Sequence, residues 1–93
     1  MRKLVVIDLT TANIELFESY ERKVLPLLKQ YNAELELSVR SIDGSTETHV
    51  LYFPDSLCFE GFLSDPVRTA LAEDWKRTGV ISIISDVEQV DYL

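Results

Sequence analysis

The dipeptide Asp43-Gly44 stands between two runs that alternate apolar and polar residues, ELELSVR over 34–40 and a strand from Thr46 to Phe53. Turn chemistry between two period-two segments predicts a β-hairpin at the middle of the 93-residue chain. What flanks that hairpin narrows the fold. Ahead of it, RKLVVIDL at 2–9 is short, β-branched and apolar, a buried strand. Thr10 to Asn13 offer N-cap side chains, and Phe17, Tyr20, Val24, Leu27, Leu28 and Tyr31 then recur at spacings of three and four. Pro26 removes a backbone donor, which predicts a kink or a new helical segment near Leu25.

Behind the hairpin, Pro54 stops the strand, and Asp55 or Ser56 can cap a short helix burying Phe59, Phe62 and Leu63. Asp65-Pro66 restarts a helix with Val67, Leu71 and Trp75 on its inner face, and Gly79 suits its C-terminal end. Val80 to Val87 reads as the last strand. The order β-α-β-β-α-β is the ferredoxin-like arrangement: one α+β domain over 1–93, an antiparallel four-stranded sheet with its helices on one face.

Charge and composition remove several functions. A net charge of −7 disfavours a nucleic-acid partner, which would need Lys and Arg to displace counterions. Cys58 is the only cysteine, so neither an internal disulfide nor a CxxC site is expected. One histidine and scattered carboxylates supply no metal shell, and the isolated Gly44, Gly61 and Gly79 form no phosphate loop. No cofactor is therefore expected. Nothing behind Met1-Arg2-Lys3 resembles a signal peptide and no run is long enough to cross a bilayer, so the expectation is a cytoplasmic protein without a membrane partner.

Two helices cover one face of such a sheet. Leu4, Val6, Val50 and Ile84 are then expected on the other face, too apolar for water, and a second copy packed sheet to sheet would cover them. The hairpin register decides which polar residues join them. A two-residue Asp43-Gly44 turn sets Arg40 opposite Glu47 and Ser38 opposite His49. A three-residue loop, Ile42-Asp43-Gly44, reverses the parity and gathers Leu35, Leu37, Val39, Leu51 and Phe53 under the helices. The second is the expected register, because it collects the apolar side chains on the covered side.

In that register Glu36, Arg40 and Tyr52 face the space between the two sheets. Arg40 and Glu36 could clamp an anionic or carbonyl ligand there, or simply form an ion pair, while Tyr52 could donate a hydrogen bond. His49, the only histidine, is the candidate general base, although this register turns it toward the helices. Asp8 reads as a strand-end acceptor, Cys58 as a small buried hydrophobe, and Phe17, Tyr20, Phe62 and Trp75 as core.

Phe53-Pro54-Asp55, Phe62 and Asp65-Pro66, with Tyr20, Pro26, Tyr31 and Asp43-Gly44, give the chain a resemblance to the dimeric α/β-barrel superfamily, within it to a small bacterial branch of domains of unknown function. The branch usually has paired glycines where Asn32-Ala33 stands and an aromatic residue where Arg68 stands. The resemblance implies a homodimer. It does not choose among the superfamily's cofactor-independent monooxygenases, isomerases, haem-degrading enzymes, stress-response proteins and ligand-sensing domains. Two readings stay open. One is a small-molecule site between the sheet and its partner, with or without enzymatic activity; the other is a non-catalytic binding or structural dimer whose inner face is only an interface.

Overall fold

The computed structural model describes residues 1–93. Strand β1 (Arg2–Asp8) leads to helix α1 (Ile14–Val24), a 3-10 segment (Leu25–Tyr31) and the strand pair β2 (Glu34–Arg40) and β3 (Thr46–Tyr52). Helices α2 (Ser56–Leu63), α3 (Pro66–Ala70) and α4 (Ala72–Thr78) precede strand β4 (Ile81–Val87). The strands pair antiparallel in the order β2-β3-β1-β4, the expected ferredoxin-like sheet.

Local chemistry sets the boundaries. Asn13 caps α1 by accepting the Leu16 N–H at 3.1 Å, and Asp55 caps α2 by accepting that of Cys58 at 2.8 Å. Pro26 turns the chain from α-helix to 3-10 helix at Leu25, and Asn32 ends that segment in the left-handed conformation. Asp65 caps α3 through the Val67 N–H and also accepts the Tyr31 hydroxyl at 2.5 Å, tying the 3-10 segment to α3. That hydrogen bond holds the Asp65 carboxyl below its ordinary range. Gly61 is small for a reason: a Cβ there would stand 2.9 Å from the Tyr31 ring. The expected single helix after Pro66 breaks at Leu71, and Val67 is exposed rather than inward.

The core lies between the sheet and the helices, with Tyr20, Val24, Leu28, Leu51, Phe53 and Phe62 packed together and Phe17 against Ile7 and Leu9. Phe53 is fully enclosed, its ring 5.1 and 5.7 Å from those of Phe59 and Phe62.

The hairpin register differs from the expected one. Ser41 and Thr46 pair, leaving a four-residue loop that Asp43 fills by accepting from Ser41 and from both the backbone and side chain of Ser45. Those bonds hold the Asp43 carboxyl down at about 2. Ser38 therefore opposes His49, and Arg40 opposes Glu47. A β-bulge between Leu35 and Leu37 then changes parity within β2. Leu35 shares the helix side with Leu51, whereas Leu37 and Val39 share the outer side with Val50 and Thr48. Ile84, expected on the outer face, pairs with Val5 on the helix side; its neighbour Ile83 pairs with Val6 and is the outward residue.

Candidate functional site

The four residues singled out in the sequence fall on two sides of the sheet. Glu36 and Tyr52 lie on the outer face with Arg2, which donates to Glu36 at 2.7 and 3.1 Å and stacks 5.4 Å above the Tyr52 ring. Arg2 holds the Glu36 carboxyl below its ordinary range. Arg40 and His49 lie on the helix face, so no Glu36–Arg40 clamp forms.

What joins Arg40 to His49 is Glu47, a residue that the sequence reading left aside. Arg40 Nε donates to Glu47 Oε1 at 2.8 Å, and Glu47 Oε2 lies 2.7 Å from His49 Nε2. Both Glu47 and His49 are buried, and Glu18 approaches the Arg40 guanidinium at 3.5 Å. With Nε2 donating to Glu47, Nδ1 is the acceptor nitrogen. Nδ1 has no hydrogen-bond partner in the chain, yet no buried side-chain nitrogen or oxygen is unpartnered, so this atom reaches accessible space.

His49 lines a pocket of about 180 Å³ together with Arg40 and Glu47 and, between the helices and the sheet, a cavity of about 260 Å³. Its wall is largely apolar, including Val5, Ile84, Phe59 and Trp75, and its polar groups are Tyr20, Glu21, His49, Arg68 and Ser82. Burial pushes the Glu21 carboxyl up to about 7; Glu47 adds to the rise and Arg68 opposes it. Glu21 lies inside the apolar stripe of α1, four residues after Phe17 and three before Val24, and Glu47 shares the inward parity of β3 with His49 and Leu51. Those positions are the sequence signals by which both could have been found.

A wider groove of about 890 Å³ runs between the 3-10 segment and β2, with Arg22, Lys29, Glu21 and Glu34 on its rim. Only four of the ten residues lining it are hydrophobic, against eleven of fifteen in the narrower cavity, which is the more enclosed of the two. No three His, Cys, Asp or Glu side chains converge as metal ligands would, and no helix is long and apolar enough to cross a membrane.

No protein-family model matches the sequence, and no curated protein matches it. Solved structures do match the fold. An uncharacterized NIPSNAP domain protein from Burkholderia xenovorans superposes with a TM-score of 0.67 at 16% identity, covering 100% of this chain and 98% of that one. SnoaB, a cofactor-independent oxygenase from Streptomyces nogalater, superposes with a TM-score of 0.71 at 12% identity over 96% and 93% of the two chains. An antibiotic biosynthesis monooxygenase gives 0.62 at 11% identity over 96% and 100%. The chain thus shares its four-stranded ferredoxin-like fold with these proteins.

Proposed function

We propose that the protein binds a small, largely apolar molecule in the cavity between sheet and helices, and that two copies join through the outer faces of their sheets. The observation that carries the first part is His49, oriented by Glu47 on the wall of an apolar cavity with one ring nitrogen free to accept a proton. A carboxylate that fixes the tautomer of a histidine prepares it as a general base, and Glu21, near half-ionised at neutral pH, can hold or return the proton. The reading therefore extends to proton transfer on the bound molecule without a cofactor. Support for the second part is the outer face, where Val39, Ile81 and Ile83 are 49%, 63% and 67% exposed.

A rival reading keeps the dimer and drops the chemistry, since Glu47 also satisfies Arg40 and could be structural. Trp75, the only tryptophan, lines the cavity and reports on it. Titration with 1-octanol is expected to change its emission saturably; no change overturns the site. Deuterium exchange at the α-carbons of 2-octanone, faster with the wild-type chain than with His49→Gln, supports the proton transfer. Equal exchange rates leave the binding-only reading.

A further inference from the structure

Four cationic side chains are half-buried, Arg2, Lys3, Arg40 and Arg68, and Arg40 is paired with Glu47. Arg2 is paired with Glu36 and Lys3 with Asp86. Arg68 has no carboxylate within ion-pairing distance. Its Nη1 donates to the Leu63 carbonyl at 3.0 Å, and its guanidinium lies 5.5 Å from the centroid of the Phe62 ring. One donor and one face of the group are thereby fixed, while a guanidinium carries five N–H donors in a planar fork. Arg68 is one of the residues that line the cavity.

We propose that Arg68 makes this cavity selective for a small amphipathic carboxylate, its charged group received by the free edge of the guanidinium and its hydrocarbon body by the apolar wall. The proposal rests on the reading of the cavity as a ligand site and adds the chemical class of the ligand. A partly buried cation without a counterion is costly, and a carboxylate that reaches it can form two parallel charge-assisted hydrogen bonds. The fork is already oriented, so little freedom is lost on binding. The apolar wall, from Val5 and Ile84 to Phe59 and Trp75, suits an alkyl or aryl body. Glu21 is the acidic group that lines the cavity. Its charge acts on those of Arg68, Glu47 and Tyr20, and His49 lines the same cavity. Because burial keeps Glu21 largely protonated below pH 7, it does not neutralise Arg68 there. Carboxylate affinity is expected to fall as pH rises through that value and Glu21 takes up the charge.

Trp75 emission in the full chain at pH 6.5 and constant ionic strength tests this with octanoate and octanamide, which differ in charge and share a hydrocarbon tail. Octanoate is expected to bind at least tenfold more tightly than octanamide. Arg68→Gln is expected to abolish that preference while leaving the octanamide Kd within about twofold, which also shows that the variant is folded. Equal affinity of the two probes for the wild-type chain, or an octanoate preference that survives in Arg68→Gln, overturns the carboxylate assignment alone. Absence of any Trp75 response to either probe overturns the cavity reading together with it.

Discussion

Ile83 and Ile84 are neighbours in β4 and point to opposite sides of the sheet. Around Ile83 the outer face is a band of aliphatic side chains with one exposed ion pair, Arg2–Glu36, at its margin. Around Ile84 the helix face holds a cavity, a buried carboxylate, an oriented histidine and an arginine without a counterion. The same strands thus present two different surfaces. A flat apolar face can be covered only by another surface, whereas a concave face with a few polar groups can receive a molecule.

The largest effect should come from charging the outer face. Sedimentation equilibrium at micromolar concentration is expected to give about twice the 10.7 kDa chain mass for the wild-type protein. Ile83→Glu should reduce it to the monomer, because the new carboxylate would be buried between sheets. Ile84→Glu should leave the mass unchanged. Loss of the dimer in Ile84→Glu, with retention in Ile83→Glu, would reverse the roles of the two faces.

Ion pairs on the two sides should differ next. Glu47→Ala leaves buried His49 without its partner, and chemical denaturation should register a loss of about 3 kcal/mol. Glu36→Ala removes an exposed partner of Arg2 and should leave the denaturation midpoint unchanged within error. Equal losses would mean that the outer pair is as deeply enclosed as the inner one.

These contrasts were only partly legible in the sequence. Asn13, Pro26, Asp55, Asp65 and Gly79 act through neighbours a few residues away, and each marks the boundary that its chemistry implies. Parity is a non-local property. One extra residue near Glu36 moves Leu37 and Val39 outward and turns Arg40 inward, and a polar loop held by Asp43 carries the turn beyond two or three residues. The consecutive isoleucines of β4 fit either face by hydropathy, so the sequence does not reveal that Ile83 and not Ile84 is the outward one. Glu21 and Glu47 occupy inward positions among apolar neighbours, and a charge placed there marks a site more sharply than an alternating polar face does.

A smaller effect should separate the faces by pH. The folded state raises the Glu21 pKa from 4.5 to about 7. Below 4.5 the carboxyl is neutral in both folded and unfolded chains and costs nothing. Between these values only the unfolded chain ionises, so stability falls as pH rises, and above 7 the penalty is complete. Glu21→Gln should therefore be more stable than wild type by ~2 kcal/mol at pH 8 and no more stable at pH 4. A gain independent of pH would place Glu21 in water.

The division between the faces can be read in one spectrum. With the isoleucine methyls labelled, 1-octanol bound to the protein should give intermolecular nuclear Overhauser effects to Ile84 and none to Ile83. Effects at Ile83 with none at Ile84 would place the ligand on the outer face and contradict the account.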